Sequence, residues 1–359
     1  MARRILTCFQ QIQASYSVEI IPQPNAEIFR KSKLLTVSNL IRVHRMEDGS
    51  WLFSCSDGVP TPYVIASPDF RKITGYTIEI PGEEPVSMLM RFLLRTAFEC
   101  RFCHEGIISL HAACVELDGF AVAFTGKSGM GKSTRAKALE EALGARFISG
   151  DRPAARLEKS GSMACGVPWD GKEQIFRDVE MPLRCILEVR RSEENYIRRL
   201  SPEQARRLIA QQCFIPMWDT DAAVMALANV RRLIRQTPVY RVFCGPTAED
   251  ARAVYDILVH HPEQIREEKV DMKIRKGFVL RNVVDEYMVM PTGDNIAKFE
   301  GTAVLNEVSA FVFQKLENAM SRDDLLAAIL AEFDVPEATA AADLDALLGK
   351  FRELGLLEE

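Results

Sequence analysis

The stretch GKSGMGKST, residues 126–134, decides the fold of the central part of this 359-residue chain. It has the form G-x-x-x-x-G-K-[ST], the apolar run Phe120–Thr125 precedes it, and a helix-forming run over 135–143 follows it. Glycines at these positions let successive backbone N–H groups face phosphate oxygens, and a helix N-terminus adds a favourable dipole. The stretch therefore predicts a phosphate-binding loop between a strand and a helix.

Each residue of such a loop has an expected contact. Lys132 is expected to reach the β- and γ-phosphates of ATP, and the Ser133 hydroxyl is expected to bind Mg²⁺. The predicted nucleotide contacts are Gly126, Lys127, Ser128, Gly129, Met130, Gly131, Lys132, Ser133 and Thr134.

Neighbouring residues separate kinases from other proteins with this loop. The chain has no N-K-x-D guanine signature, and no strand of four apolar residues ending in Asp is recognisable elsewhere in the core. The run 147–152, FISGDR, reads as a strand that emerges beside the loop. It is expected to place Asp151 near the γ-phosphate, although a turn or capping aspartate fits the same pattern.

Three segments together resemble the kinase domain of the HPr kinase/phosphorylase family over roughly residues 85 to 260. They are LHAA at 110–113, the glycine loop, and ISGDR at 148–152, in the family's order and at similar spacing. The resemblance implies that His111 and Asp151 lie beside the transferred phosphate and that Asp151 takes the proton of an acceptor hydroxyl, which is otherwise a poor nucleophile. A half-buried strand histidine is the structural alternative for His111.

The chain departs from this family at two places. Gly150-Asp151 stands where the family has paired aspartates, and the downstream E-[IV]-R-G signature is absent. In its place is GVPWDGKE at 166–173, where Lys172 is expected to meet phosphate and Glu173 to complete the Mg²⁺ shell. An exposed charged loop is the alternative for this stretch. The departures leave open both the phosphorylase half-reaction and HPr as the substrate.

The pattern predicts an α/β phosphate-loop kinase core over 85–261, with a β-rich region over 1–84 that either precedes the core or packs on it. The elements predicted after Pro85 are a helix to about 102, strands 107–117 and 120–125, a helix over 135–143, strands 146–149, 186–189 and 238–243, and helices from Ser201, over 219–235 and over 248–259. The densely charged segment 262–276 is predicted to be a linker.

Residues 277–359 resemble the PqqD family of small winged-helix, peptide-binding domains. The resemblance is carried by YMVM at 287–290, LNEVSAFV at 305–312 and LGLL at 354–357. It implies that this domain holds the leader of a ribosomally made precursor peptide as an added strand. A three-helix regulatory or dimerisation module is the alternative interpretation.

Composition restricts the partners and the compartment. The net charge of −5 gives no general attraction for nucleic acid or anionic lipid, and no segment is apolar and long enough to span a membrane. The nine cysteines lack a disulfide framework, which favours the cytoplasm. The run CRFCH at 100–104 has the haem-attachment spacing, and His111 with Cys114 allows a zinc site; packing of buried sulfur is the competing interpretation.

These features lead to one hypothesis, a Ser/Thr kinase that uses ATP and Mg²⁺ to phosphorylate a ribosomal precursor peptide bound through its leader. Other peptide-modifying enzymes are further expected partners, and the sequence leaves self-association open. Two rival hypotheses remain at this stage: a kinase for a small-molecule hydroxyl, and a peptide-binding chaperone whose nucleotide site is vestigial or regulatory.

Overall fold

The protein is described by a computed structural model in which the chain divides into two compact units, residues 1–267 and 268–359. The described residues are 14–21, 26–38, 41–55, 61–77, 87–169, 175–267, 271–283, 286–296 and 303–358. Both units mix helices with strands, which gives an α/β fold with several sheets. No helix within these ranges is long and apolar enough to cross a bilayer.

A six-stranded sheet opens the first unit. Its elements are β1 (Ser15–Ile20), α1 (Ala26–Arg30), β2 (Ser32–Ser38), β3 (Ile41–Met46), β4 (Trp51–Ser54), β5 (Tyr63–Ala66) and β6 (Lys72–Thr77). The strand order is β1-β6-β5-β4-β3-β2, and only β1 with β6 is a parallel pair. The turn at Asp48-Gly49 joins β3 to β4, where Gly49 has a φ of 80° that favours glycine.

A ten-stranded sheet forms the centre of the first unit. Its strands are β7 (Ile107–Ser109), β8 (Ala112–Leu117), β9 (Phe120–Thr125), β10 (Arg146–Ser149), β11 (Ala154–Leu157), β12 (Ser162–Cys165), β13 (Glu180–Arg191), β14 (Tyr196–Arg199), β15 (Val239–Cys244) and β16 (Arg266–Glu267). β9, β13 and β15 are parallel neighbours, so their carboxyl ends meet at one edge of the sheet. The glycine loop follows β9 at this edge.

Helices cover both faces of the central sheet. They are α2 (Met88–His104), α3 (Lys132–Leu143), α4 (Pro202–Gln212), α5 (Thr220–Gln236) and α6 (Ala248–Val259). The helices α3 and α6 bury their apolar sides against one face, for example through Leu139 and Val254, and α4 and α5 pack on the other face through Ile209 and Leu233. This layered arrangement explains why the parallel strands are apolar on both sides.

The N-terminal sheet packs on the remainder of the first unit. Phe53 and Phe70 share one buried cluster with Leu93 of α2 and with Ala154 and Cys165 of the central sheet. Of the two arrangements that the sequence allowed for the β-rich region, the structure therefore shows packing onto the core.

The second unit contains two small sheets and three helices. Its elements are β17 (Asp271–Ile274), β18 (Phe278–Val283), β19 (Glu286–Pro291), β20 (Ala303–Leu305), α7 (Glu307–Lys315), β21 (Met320–Ser321), α8 (Arg322–Glu332), α9 (Glu337–Glu353) and β22 (Leu357–Glu358). β18, β19 and β20 form one sheet, and β17 lies between β21 and β22 in the other. A buried core of its own includes Phe313, Leu325 and Phe351. The segment 262–276, predicted as a linker, contains both the end of the first unit and the paired strand β17.

Candidate functional site

The glycine loop joins β9 to α3 and uses backbone conformations that suit glycine. Gly126, Gly129 and Gly131 have φ values of 134°, 80° and 88°. Gly131 caps α3 in the left-handed conformation and offers no side-chain hydrogen bond to the first turn. The sequence pattern predicted that the helix starts at Arg135, but it starts at Lys132, directly after this cap. The first N–H groups of the helix have no acceptor within it and face out of its end.

The Lys132 side chain folds back over this loop. Its Nζ donates to the carbonyl oxygens of Gly126 at 3.1 Å and Lys127 at 3.4 Å. Burial lowers the pKa of Lys132, the Asp151 carboxylate raises it, and the Arg152 cation lowers it further. The residues directly after β10 therefore contribute to the electrostatic environment of the loop lysine.

The site's histidine lies at a break between two strands. Residues 107–117, predicted as a single strand, are divided into β7 and β8 because three successive N–H groups donate elsewhere. Leu110 donates to the Pro153 carbonyl at 3.0 Å, His111 to Gln212 at 2.7 Å and Ala112 to Asp151 at 2.8 Å. The break therefore ties three segments of the chain together around His111.

His111 and Asp151 face each other across this junction. The distance from His111 Nε2 to Asp151 Oδ1 is 3.6 Å, and the two side chains are 31% and 32% exposed. Burial lowers the pKa of His111, the Lys132 cation lowers it too, and Asp151 acts in the opposite direction. Neutral imidazole is therefore the favoured form near pH 7, beside a carboxylate that solvent and an incoming group can reach.

Two arginines hold the outside of the loop, and the sequence analysis gave neither a role. Arg135 is 5% exposed, and it donates to the Met130 carbonyl at 3.4 Å and to the Cys244 carbonyl at 2.8 Å. Arg191, at the end of β13, donates to the Gly129 carbonyl at 2.9 Å. A cleft of about 390 Å³ lies between the loop, Arg191 and the 244–246 turn. These contacts fix the loop without using its N–H groups.

A buried ion-pair cluster on the other side of Asp151 was also missed. Glu99 of α2 is 2% exposed and lies within 4 Å of both Arg95 and Arg152. The signal in the sequence was the i, i+4 spacing of Arg95 and Glu99 on a helix rich in apolar residues, together with Arg152 directly after Asp151.

The strand beside the loop carries an acidic residue level with the end of β9. Glu188 on β13 pairs in register with Thr125, the last residue of β9, and is 6% exposed. Its carboxylate accepts from Arg190 and Arg241, at 2.7 Å in each case. The apolar run 185–187 followed by Glu, rather than by Asp, was the signal for this position.

The remaining predicted site residues are placed as follows. Ser133 is half-buried in the first turn of α3, and Lys127, Ser128 and Thr134 are exposed. Lys172 and Glu173 lie outside the described residues. Within the described ranges, no group of three or more His, Cys, Asp or Glu side chains is arranged to hold a metal ion.

The cysteines near the site fit packing rather than ligation. Cys100 and Cys103 are buried in α2, and the Cys103 thiol donates to the Glu99 carbonyl. Cys114 is buried in β8, and burial raises the pKa of all three thiols, to about 12 for Cys103. Thiols held in the protonated form are poor metal ligands.

The comparison with family models concerns the second unit. Residues 286–357 match the model described as coenzyme PQQ synthesis protein D (PqqD). The C-terminal unit carries a PqqD-like domain. The match begins with β19 and ends in β22, so it includes the three helices and most of the core of this unit.

Three solved structures resemble parts of the chain. "TbiB1 in Complex with the TbiA(beta) Leader Peptide" is 24% identical and covers 24% of this chain and 94% of that one, with a TM-score of 0.21. "Lasso peptide synthetase B1 complexed with the leader peptide" is 18% identical and covers 25% and 99%, with a TM-score of 0.22.

The third structure resembles a different share of the chain. The Hpr(Ser) kinase/phosphatase from Coxiella burnetii is 10% identical and covers 43% of this chain and 95% of that one, with a TM-score of 0.24. None of the curated proteins matches the sequence. At these TM-scores the activity of the present chain has to be inferred from its own residues.

Proposed function

We propose that this protein transfers the terminal phosphoryl group of ATP to a hydroxyl of a ribosomally made precursor peptide. The observation that carries the proposal is the 3.6 Å approach of His111 Nε2 to Asp151 Oδ1, from two different segments of the chain. The Lys132 cation at the start of α3 lowers the pKa of this histidine. A cation beside a helix N-terminus suits polyphosphate, and a carboxylate paired with a neutral imidazole suits proton removal from an alcohol.

The loop residues would hold the nucleotide. The N–H groups at the start of α3 and the Lys132 ammonium would donate to phosphate oxygens. No side chain caps this helix end, and the hydrogen bonds of Arg135 and Arg191 go to backbone carbonyls rather than to these N–H groups. Mg²⁺ takes oxygen ligands, usually one or two from the protein together with substrate phosphates. The Ser133 hydroxyl fits that role, and Glu173 and Lys172 stay proposed as further contacts to the metal and the phosphates.

Asp151 would act as the general base. As the acceptor oxygen bonds to the γ-phosphorus, the bond from that phosphorus to the β,γ-bridging oxygen breaks, ADP leaves, and the hydroxyl proton moves to the Asp151 carboxylate. His111 would orient this carboxylate and, being neutral, would leave its charge intact. Lys132 would balance the negative charge on the transferred group.

The PqqD-like domain would select the substrate. Among the described strands β20 pairs only with β19, so its other side is an edge to which an extended peptide can add. Val304 in β20 is 56% exposed and offers apolar contact to such a peptide. Binding of the leader would hold the acceptor hydroxyl at a high effective concentration for the kinase unit.

The direct test uses the full-length protein, ATP, Mg²⁺ and the precursor peptide encoded beside its gene. We expect a mass gain of one phosphate on the peptide, and we expect Asp151→Asn to slow the reaction by about 10²- to 10⁴-fold while nucleotide still binds. Asp48→Asn, in the exposed β3–β4 turn, is the matched control and should react at the wild-type rate.

The alternatives predict different results in the same test. Phosphorylation of a metabolite hydroxyl without any phosphate on the peptide would assign the kinase to a small molecule. Peptide binding with no phosphoryl transfer to any acceptor, in wild type and Asp151→Asn alike, would refute the kinase and leave a peptide-binding chaperone.

A further inference from the structure

Behind the proposed catalytic pair lies a buried carboxylate that the mechanism so far does not use. Glu99 of α2 is 2% exposed and accepts a hydrogen bond from the Ser109 hydroxyl at 2.6 Å. Its two oxygens lie 3.7 Å from Arg152 Nη1 and 3.8 Å from Arg95 Nε. A charge this deeply buried costs several kcal/mol unless it is paired, so Glu99 requires both cations.

Arg152 is held in place by its backbone more than by its guanidinium. Its N–H donates to the buried Ser149 hydroxyl at 3.2 Å, and the carbonyls of Asp151 and Pro153 accept from Ala112 and Leu110. In the described part of the chain its guanidinium makes one ion pair, with Glu99, and that distance is longer than a hydrogen bond. Most of its five N–H donors therefore remain available to a ligand.

Arg95 has spare donor capacity as well. Its Nε is buried without a hydrogen-bond partner among the described residues, and its guanidinium lies 4.8 Å from the centre of the Phe92 ring. Burial lowers the pKa of Arg95, Glu99 raises it, Arg152 lowers it, and Asp151 raises it. Arg95 thus lies in the same electrostatic environment as the proposed base.

The cluster contains more cationic than anionic side chains. Lys132, Arg152 and Arg95 bring three cations against the carboxylates of Asp151 and Glu99, while His111 tends to be neutral. Arg152 directly follows Asp151 in the chain, its side chain is 24% exposed, and its cation lowers the pKa of both Lys132 and His111. An anionic group between them would relieve this repulsion.

We propose that Arg152 contacts the phosphoryl group during transfer and stabilises its charge, and that Glu99 is the positioning residue that aims Arg152. This rests on the proposed function and deepens it by assigning a second cation to the same site. Lys132 would stay with the bound nucleotide, whereas Arg152, next to the base in sequence, would act on the side of the acceptor. Arg95 completes the pairing of the buried Glu99 carboxylate.

The decisive measurement compares the binding of MgADP alone with that of MgADP plus aluminium fluoride, which occupies the place of a phosphoryl group in transfer. Calorimetry with the full-length wild type should show tighter binding when fluoride is present. Arg152→Met should bind MgADP with an affinity within about twofold of wild type. The increase in affinity on adding aluminium fluoride, called here the fluoride-dependent gain, should be about 100-fold smaller in this variant, the effect typical of one lost charge-stabilising donor. Arg152→Lys should recover part of that gain.

The control and the positioning variant complete the design. Arg156→Met removes another buried arginine, paired with Glu158 and Glu180, and should keep the full gain. Glu99→Gln retains the acceptor for Ser109 but loses the charge, so it should reduce the gain by about tenfold, which is 1.4 kcal/mol, without changing MgADP affinity. Thermal unfolding of each variant separates this effect from a general loss of fold.

Each result decides between the two proposals. A full fluoride-dependent gain in Arg152→Met, or an equal loss in Arg156→Met, would overturn the assignment of Arg152 while leaving the kinase proposal standing. Absence of MgADP binding to the folded wild type would overturn both. If Arg152→Met loses as much affinity for MgADP alone as it loses in the fluoride-dependent gain, Arg152 is a nucleotide contact and its role in transfer is refuted.

Discussion

His111 shows how one residue receives its properties from distant parts of the chain. Its N–H is bound to the carbonyl of Gln212, at the end of α4, its ring faces Asp151 after β10, and its charge is opposed by Lys132 of α3. Burial and the nearby cation both favour the neutral ring, and this has a consequence for stability that can be measured.

The pKa of His111 lies below its ordinary value of 6.5 in the folded protein. Between the folded and unfolded pKa values the unfolded chain binds more protons, so acid shifts the equilibrium toward unfolding. We expect the free energy of unfolding to fall as the pH drops from neutral to below 6.5, and His111→Gln to flatten this part of the profile. Urea titrations over that range measure it; parallel profiles for the two proteins would contradict the assignment.

The loop between β9 and α3 is the element on which nucleotide binding depends. Gly129 and Gly131 are both left-handed, but their surroundings differ. A Cβ at Gly129 would meet no atom within 4 Å, whereas a Cβ at Gly131 would collide with Nη1 of the buried Arg135. The helix start is thus fixed by both a backbone conformation and a side chain packed under it.

This difference allows a matched pair of substitutions. Alanine in the left-handed region costs about 1–2 kcal/mol, and we expect that loss for Gly129→Ala. Gly131→Ala should be destabilised further and should also lose MgADP affinity, because Arg135 must move away from the carbonyls of Met130 and Cys244. Thermal unfolding and calorimetry measure both effects. Equal losses in the two variants would show that Arg135 does not hold the loop.

At the scale of the whole molecule, the chain consists of two compact units, and the second has a buried core of its own. The first unit contains Lys132, His111 and Asp151, and the second contains the PqqD-like domain with its own buried cluster. Substitutions on the surface of the second unit should therefore change peptide selection without changing nucleotide binding.

Val304→Asp tests this division. A charge on the exposed side of β20 should weaken binding of the leader peptide by about tenfold, or about 1.4 kcal/mol, with MgADP affinity unchanged. Val283→Asp is the matched control, since Val283 is similarly exposed at the end of β18, the opposite strand of that sheet. Fluorescence anisotropy with a labelled leader reports binding. A larger loss of leader affinity in Val283→Asp than in Val304→Asp would indicate that the peptide binds at the other edge of the sheet, along β18.

Local pattern was sufficient for much of this protein. The glycine loop, its flanking strand and helix, and the hairpin turn at 118–119 depend on neighbouring residues, because glycine conformation and apolar spacing act over a few positions. The start of α8 depends on neighbouring residues as well, because the Ser321 hydroxyl accepts a hydrogen bond from the Asp324 N–H in the first turn.

The sequence by itself determined that a glycine loop joins a strand to a helix and that Asp151 follows the next strand, which made their residues candidates for the chemistry. Only the tertiary structure decided where the run 107–117 breaks, that Glu99 lies behind Arg152, and that Arg135 and Arg191 hold the loop. These contacts join residues far apart in the chain. Which strands pair, and which charges are buried together, follows from long-range packing that short-range periodicity does not encode.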